Sequence, residues 1–223
     1  MAIFAVALHG AAWLENGFGK EYAMLDRTIP YYNMILRCDA RRAIAAPLPS
    51  GYSIRRFQPD DARAWAQMEY EVGDFASLED AGQYFDKAFR PHMDELLKRG
   101  SIAVTPDGAP AGSCFAWFGE RGGKTVASLH WLVVSPRFQG LGLGKALCAE
   151  TLRLFEQLGE FPVYLHTQPW SWQAVMIYRR QGFRLCQTDT FDGYENQFAQ
   201  AVETLRRVLP ESTLDEMLAE VHA

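Results

Sequence analysis

The segment that most constrains how this chain folds is residues 135–145, in which three glycines alternate with two leucines. It follows an apolar, strand-like stretch at residues 125–134 and leads into a helical pattern at residues 144–158, so it should join a strand to a helix. Because glycine has no Cβ, successive amides beside a helix N-terminus can cradle an anionic pyrophosphate. A plain strand-to-helix turn is the alternative interpretation, but such a turn needs only a single glycine.

Spacing separates this loop from two other phosphate-binding loops. A Walker loop would require a glycine at Gln139 and a hydroxyl side chain at Ala146. A dinucleotide-binding fingerprint that started at Gly140 would require a small residue at Lys145 and would lie in the first βα unit of its domain. Neither set of requirements is met, and several predicted strands precede the loop.

The sequence QGLGLG at residues 139–144 resembles the pyrophosphate loop [QR]-x-x-G-x-[GA] of the GNAT N-acetyltransferase superfamily. Downstream, AVMIYRRQGF at residues 174–183 resembles the second signature of that family, A-x-x-x-Y-x-x-x-G-F. The two motifs stand in the family's order and at its separation. The resemblance extends over residues 51–190, and the segments before and after this stretch lie outside it.

The resemblance implies an α/β (α+β) fold, in which a mixed, mostly antiparallel central sheet is flanked by helices. It also implies that acetyl-CoA lies in a V-shaped opening between two parallel strands, here residues 125–134 and 163–166. The local patterns are compatible with this fold. They predict further strands at 52–57, 101–105, 111–119 and from Phe183, and helices at 59–71, 144–158 and 172–181. A further helical stretch at 78–99 is predicted to be broken by Pro91.

The proline-rich stretch at residues 47–51 predicts a boundary in the chain. We expect an N-terminal extension at 1–50, the acetyltransferase domain at 51–197 and a C-terminal helical extension at 198–223. Family members usually finish with a strand hairpin, whereas residues 197–209 have helical spacing. One hypothesis is that the apolar run at residues 2–8 supplies sheet contacts instead, or contacts in a homodimer.

The resemblance also assigns the groups that bind the coenzyme. Backbone groups at the end of the first parallel strand would bind the pantetheine arm, and the amides of the glycine loop would hold the pyrophosphate. Many relatives carry an asparagine where this chain has Ser171, whose hydroxyl can replace part of its hydrogen bonding. The expected coenzyme-binding residues are Leu132, Val133, Val134, Gln139, Gly140, Leu141, Gly142, Leu143, Gly144, Lys145 and Ser171.

Two residues are candidates for proton transfer. Tyr178 matches the family tyrosine that protonates the departing thiolate, although a core tyrosine is the alternative. For the base, strand alternation places His130 on one face with Ser128, Leu132 and Val134. Histone-type relatives carry a glutamate at the position of Ser128, whereas arylalkylamine relatives carry histidines at both positions, so His130 can be the base or a hydrogen-bonded core histidine.

The sequence does not determine which acceptor the protein would bind. In this family the first two helices and their connection largely set the acceptor, and here they are rich in acids: Glu69, Glu71, Asp74, Glu79 and Asp80. These carboxylates can attract a cationic amine, or they can form a solvated helix face. Trp170 and Trp172 can line the acceptor pocket or pack in the core.

The function implied is transfer of an acetyl group from acetyl-CoA to a primary amine of a small molecule, by direct attack in a ternary complex. The alternative is a non-catalytic acyl-CoA-binding or sensor module on the same fold. A net charge of -5 without a basic cluster argues against a nucleic-acid partner. The four cysteines lack metal-binding spacing and are expected to be buried thiols, so we expect no metal. No apolar span of ~18 residues or cationic leader occurs, so we expect a cytoplasmic protein without membrane contacts.

Overall fold

The computed structural model describes residues 28–222, and the elements below are those of that range. Each predicted helix from residue 59 to residue 209 is present, with small shifts at the ends. The strands are β1 (Met34–Cys38), β2 (Ser53–Arg56), β3 (Gly100–Val104), β4 (Pro110–Arg121), β5 (Lys124–Val134), β6 (Val163–Thr167) and β7 (Arg184–Leu185). The helices are α1 (Asp61–Val72), α2 (Leu78–Ala88), α3 (Met93–Arg99), α4 (Leu143–Leu158), α5 (Trp172–Gln181), α6 (Phe198–Leu205) and α7 (Glu211–Leu218).

All seven strands form one sheet in the order β2-β3-β4-β5-β6-β1-β7. Only β5 and β6 pair in parallel, and every other neighbouring pair is antiparallel. Strands β3, β4 and β5 form an antiparallel meander. Gly122 and Gly123 make the tight turn between β4 and β5, with φ values of 58° and 76° that favour glycine. The predicted mixed, mostly antiparallel sheet flanked by helices is therefore confirmed.

Two hydrophobic cores lie on opposite faces of the sheet. Successive residues of β4 show this, because Phe115 packs with α1, α2 and α3 while Cys114 and Ala116 pack with α4 and α5. The core between the sheet and helices α1, α2 and α3 is aromatic and centres on Trp65, which has no exposed surface. A large side chain buried this completely contributes about 1.5–3 kcal/mol by leaving water. No helix within residues 28–222 is long and apolar enough to cross a membrane.

Strand β1 comes from the segment that precedes the proline-rich stretch. It lies between β6 and β7 and pairs antiparallel with both, so that Leu36 is opposite Leu165 on one side and Leu185 on the other. The apolar run at residues 2–8, which was expected to supply sheet contacts, lies outside the described residues. The division of the chain into domains at residues 50 and 197 stays a prediction, but the sheet takes a strand from before residue 50.

Helix α6 confirms the helical spacing predicted after residue 197, and it is tied to the start of β1. The backbone amide of Asn33 donates to Gln197 Oε1 over 3.0 Å, and the backbone amide of Gln197 donates to the backbone carbonyl of Asn33 over 3.0 Å. Ala201 and Leu205 of this helix are buried in the same core as α4. The C-terminal helix thus packs against the body of the protein.

Strand β5 contains a bulge at Trp131, whose φ of 51° is left-handed. The predicted alternation, which placed His130 on the face of Leu132 and Val134, is therefore wrong. Leu132 and Val134 pack with the α4 core, as Leu129 does. A bulge inserts one residue into the strand, so every side chain after it moves to the opposite face relative to simple alternation.

Candidate active site

The sheet splits between its two parallel strands. Strands β5 and β6 pair at Ala127 with Val163 and at Ser128 with Tyr164, and within residues 28–222 they pair no further. Yet β5 continues to Val134 and β6 to Thr167. The strand edges diverge beyond Ser128, which leaves backbone donors and acceptors of β5 facing an opening. This is the V-shaped opening expected between the parallel strands.

The three loop glycines are needed for two different reasons. Gly140 and Gly142 have φ values of 78° and 88°, which side-chain-bearing residues rarely adopt, and a Cβ at either position would meet nothing within 4 Å. Open space therefore lies beside both. Gly144 is different, because its Cβ would lie 3.2 Å from Cδ1 of Ile177 on α5. Gly144 thus allows α4 and α5 to pack closely.

Of the other loop residues, some anchor the loop to the protein and others are exposed to solvent. Gln139 donates from Nε2 to the Val134 carbonyl over 3.1 Å, which ties the loop to the end of β5. Leu143 is buried, whereas Leu141 and Lys145 are exposed. Helix α4 begins at Leu143, and its first amides have no helical carbonyl to bind. These amides, the loop backbone and the open space beside Gly140 and Gly142 fit a pyrophosphate.

Ser171 is the last residue of a short 3-10 turn and the N-cap of α5. Its hydroxyl accepts a hydrogen bond from Gln168 Nε2 over 3.0 Å. The hydroxyl proton is still available for donation to a ligand. Trp170 packs edge-on against Tyr31 at 4.9 Å, whereas Trp172 packs against the α4 core. Trp172 therefore packs in the core, and the interpretation that Trp170 lines an acceptor pocket stays a prediction.

Tyr178 lies on α5 with its ring 5.8 Å from that of Phe183. The side chain is 7% exposed. Burial raises the pKa of its phenol well above 10, and the nearby thiols and the Asp74 and Glu69 carboxylates raise it further. Tyr178 therefore stays protonated at neutral pH, as a proton donor must.

His130 lies just before the β5 bulge. Burial lowers the pKa of its imidazole to about 4, so it is uncharged at neutral pH. Its Nε2 lies 3.7 Å from Oδ2 of Asp192, which belongs to the loop after β7. The neutral ring can accept a proton, but its low pKa makes it a weak base.

His166 on β6 is a site residue that sequence reasoning missed. Its Nε2 lies 2.8 Å from the amide oxygen of Asn33, so this nitrogen carries the ring proton. The ring stacks on Tyr194 at 3.7 Å with an angle of 5°. Burial, followed by repulsion from His130 when that ring is protonated, lowers the pKa of His166 to about 4. The position of His166 on the second parallel strand was a signal that could have pointed to it. Its two partners, Asn33 and Tyr194, come from segments far away in the chain.

Two groups of aromatic side chains lie near these histidines. On one side Trp131 contacts Phe75 at 5.7 Å and Tyr84 at 5.1 Å. On the other side Tyr31 lies 6.5 Å from His166. We call these residues, together with Trp170 and Tyr194, the aromatic groove. Tyr31, Tyr84 and Tyr194 are 44%, 37% and 41% exposed, so the groove opens to solvent.

The acids of the first two helices are not equivalent. Glu79 and Asp80 are exposed, as a solvated helix face requires. Glu71 accepts a hydrogen bond from Ser135 Oγ over 2.9 Å and so ties α1 to the loop after β5. Glu69 is only 1% exposed, so the interpretation as a solvated face is wrong for this residue. Within residues 28–222 no group of three or more histidine, cysteine or acidic side chains is placed to hold a metal ion.

A mixed sheet that splits between two parallel strands, with a glycine loop leading into a helix beside the split, defines an acyltransferase-type fold. Residues 60–183 match the model of the Acetyltransferase (GNAT) family. The chain therefore belongs to the GNAT acetyltransferase family.

Several curated relatives share a name. The chain is 31% identical to the mycothiol acetyltransferase of Arthrobacter sp. strain FB24 over 68% of its own length and 48% of that protein. It is 32% identical to the mycothiol acetyltransferase of Salinispora tropica over 77% of its own length and 59% of that protein. The chain thus spans about half the length of the curated relatives that it matches.

Solved structures show the same fold. A GNAT-family acetyltransferase from Colwellia psychrerythraea superposes with a TM-score of 0.54 at 12% identity, covering 70% of this chain and 53% of the other. A GCN5-related N-acetyltransferase from Sphaerobacter thermophilus superposes with a TM-score of 0.51 at 21% identity, covering 70% of this chain and 48% of the other. At these identities the likeness concerns the fold alone.

Proposed function

We propose that this protein is an N-acetyltransferase that transfers an acetyl group from acetyl-CoA to a primary amine of a small molecule. The observation that carries the proposal is the divergence of β5 and β6 beyond Ser128, directly beside the glycine loop. Backbone groups of residues 132–134 would bind the pantetheine arm, and amides of residues 139–145 would bind the pyrophosphate. Ser171 would donate a hydrogen bond to the coenzyme.

In the proposed reaction the coenzyme supplies an acetyl thioester, and the protein orients the reactants and moves protons. The neutral amine forms a bond to the acetyl carbon as the carbon–sulfur bond breaks. Tyr178 donates its phenolic proton to the departing thiolate, and the amine proton leaves to His130 or, through water, to another acceptor in the groove. No covalent intermediate with the protein is needed, and Cys148, the cysteine of the α4 helix, is fully buried.

Two features support a small-molecule acceptor. The relatives are named for mycothiol, a small molecule, and the partly exposed tyrosines of the aromatic groove lie near the split of the sheet. The cytoplasmic location expected from the sequence belongs to the same proposal. Homodimer formation also stays a prediction.

The non-catalytic acyl-CoA-binding module is a second candidate, because a base with a pKa of about 4 is poorly matched to an alkylamine. The two candidates share the coenzyme site and differ in turnover. Such a module would bind acetyl-CoA and acetylate no amine. The amine-acetylation assay separates them.

Coenzyme binding is tested best at Leu141, because its side chain is exposed and its position does not require glycine. Leu141→Asp adds a negative charge beside the proposed pyrophosphate, and Leu141→Asn adds a side chain of the same shape without charge. We expect calorimetric titration with acetyl-CoA to show weaker binding by about ten-fold or more for Leu141→Asp and a much smaller change for Leu141→Asn. Absence of acetyl-CoA binding by the folded wild-type protein would contradict the proposal.

A further inference from the structure

The loop after β7 contains a tight turn that places a carboxyl group beside His130. In the sequence FDGY the backbone amide of Tyr194 donates to the Phe191 carbonyl over 2.9 Å. Asp192 and Gly193 have φ values of 51° and 73°. Positive φ at both central residues is the geometry of a type I′ turn, in which the pair Asp-Gly is strongly preferred. The turn is therefore encoded by its own four residues.

Two strands of the sheet hold this turn in place. The backbone amide of Asp192 donates to the Glu120 carbonyl over 2.9 Å, and the backbone amide of Glu120 donates to Asp192 Oδ1 over 2.5 Å. Gly119 on β4 leaves room for the turn, because a Cβ there would collide with the Phe191 ring. That ring is 1% exposed and stacks on Tyr164 of β6 at 5.9 Å. One carboxyl oxygen of Asp192 is thus bound to β4, which fixes the direction of the other.

The other oxygen, Oδ2, faces the imidazole of His130 and lies 3.7 Å from its Nε2. Among residues 28–222, Asp192 is the one acid within ion-pair distance of this ring. The side chains of His130 and Asp192 are 24% and 25% exposed, so both can be reached from solvent. A separation of 3.7 Å is too long for a hydrogen bond, but catalytic contacts of this kind often tighten when the reactants bind.

The carboxylate affects both the tautomer and the basicity of the ring. Because a carboxylate only accepts hydrogen bonds, it favours the tautomer of His130 that carries the proton on Nε2, and the lone pair then lies on Nδ1. When Nδ1 takes a proton, attraction between the imidazolium and the carboxylate raises the proton affinity above the value that burial alone would set. Burial raises the pKa of Asp192 above its ordinary value, so a nearby cation would in turn stabilise this carboxylate.

Other ionisable side chains near the pair do not provide a second counter-ion next to the ring. They come from β4, α2, β6 and the turn itself, and they are Glu120, Tyr84, His166 and Tyr194. Glu120 is exposed and binds Asp192 through its backbone. Burial raises the pKa of both phenols and lowers that of the His166 imidazole, so all three are uncharged at neutral pH. Asp192 is therefore the counter-ion available to a protonated His130.

We propose that Asp192 is a positioning residue for His130: it holds the imidazole in the tautomer that accepts the proton of the acceptor amine, and it stabilises the imidazolium that forms. This inference rests on the proposed acetyltransferase function and adds a residue to its proton transfer. As the amine nitrogen bonds to the acetyl carbon, its proton passes to Nδ1, while the Nε2 proton stays between the ring and Asp192. The imidazolium later returns one proton to solvent, and Tyr178 supplies the proton of the departing thiolate.

Asp192→Asn separates this role from a role in the turn. Asparagine fits a type I′ turn as well as aspartate does, and its Oδ1 can still accept from the Glu120 amide. Its Nδ2 then replaces the oxygen that faces His130, and this group donates hydrogen bonds instead of accepting them. Asp189→Asn is the matched control, because it removes a carboxylate of the same loop that is bound to Arg121 over 2.7 Å.

The first measurement needs no acceptor. The intact chain, with isotope-labelled histidine, is studied by heteronuclear NMR at neutral pH, and the ring signals of His130 are assigned by their loss in His130→Gln. We expect wild type and Asp189→Asn to carry the ring proton on Nε2, and Asp192→Asn to carry it on Nδ1. The same tautomer in all three proteins would overturn the inference.

The second measurement is the rate of acetyl transfer from acetyl-CoA to ethanolamine, butylamine and phenethylamine, supplied together. We expect Asp192→Asn to lower kcat by about ten-fold or more without changing the affinity for acetyl-CoA, and to have no further effect in a His130→Gln background. Asp189→Asn should keep the wild-type rate. An equal loss with and without His130 would assign Asp192 a structural role and overturn this inference alone. Failure of wild type to bind acetyl-CoA, or to acetylate any of the amines, would instead overturn the proposed function, and the tautomer measurement would still decide whether the two residues are paired.

Discussion

Burial raises the pKa of Tyr178 well above its ordinary value, and the nearby thiols and the Asp74 and Glu69 carboxylates raise it further. Its raised pKa means that it stays protonated throughout the range in which enzymes are usually assayed. A group that loses its proton only at very alkaline pH gives no alkaline limb in a rate profile below that pH. The activity should therefore not decline between neutral pH and about pH 9 through ionisation of this phenol.

Removal of this hydroxyl tests the acid role. Tyr178→Phe keeps the ring contact with Phe183 and removes only the proton donor, so acetyl-CoA affinity should change little. The rate of acetyl transfer in steady-state assays should fall by about 10²–10⁴-fold. Tyr164→Phe is the matched control, because its phenol lies near Arg37 and Arg121 rather than in the groove. Equal rates for both variants would assign Tyr178 a packing role.

The two buried histidines predict a dependence of stability on pH. The pKa of His130 and of His166 is about 4 in the folded protein, below the value of about 6.5 in an unfolded chain. The unfolded state therefore binds these protons first, so the stability is fully present above pH 6.5 or so and is lost as the pH falls through 4. At pH 4 each histidine should lower the free energy of unfolding by about 1–3 kcal/mol.

Urea unfolding of wild type and of His166→Gln at neutral pH and at pH 4 measures this loss. Wild type should lose more stability on acidification than the variant does. If both lose the same amount, His166 is not a buried neutral histidine.

At the scale of elements, the sequence predicts what depends on local patterns. Helix α5 was expected at 172–181 and is observed at Trp172–Gln181, because its start and its C-terminal glycine are encoded nearby. Strand β1 was not predicted. Its five residues, MILRC, are held in the sheet by pairing with residues 163–167, which lie far along the chain. Long-range pairing of this kind leaves little mark on the local sequence.

The candidate active site could also be predicted only where it depends on local sequence patterns. The loop and Tyr178 could be located from two motifs, whereas the bulge at Trp131 could not, because tryptophan has no preference for a left-handed backbone. Glu69 and Glu79 look alike in sequence, yet one is buried and the other exposed. The difference follows from which side of its helix faces the sheet, and that depends on the assembled fold.

Strand β1 should be essential for stability. Leu36 is 1% exposed and packs between β6 and β7, so Leu36→Ala leaves a cavity and should lower the free energy of unfolding by about 2–5 kcal/mol. Arg41→Ala, which breaks an exposed ion pair with Glu156, should cost about 1 kcal/mol or less. Denaturant unfolding compares the two. Similar costs would mean that β1 is peripheral to the stable core.

At the scale of the whole molecule, one sheet brings three functions to a single place. Its split provides the proposed coenzyme opening, and α4 and α5 bring the glycine loop and Tyr178 beside it. The residues of the aromatic groove come from several segments, among them α2 and the loop after β7. The chain matches about half the length of its curated relatives, and the residues that match the family, 60–183, contain the glycine loop and Tyr178. The proposed function predicts that this chain alone transfers an acetyl group.

The most direct test of this central claim is detection of an acetylated amine. The purified chain is incubated with acetyl-CoA carrying a labelled acetyl group and with a set of primary alkylamines, and the products are identified by mass spectrometry. We expect the label on the nitrogen of at least one amine with wild type, and a greatly reduced yield with Tyr178→Phe. Tight binding of acetyl-CoA without transfer to any amine would contradict the account and favour an acyl-CoA-binding module.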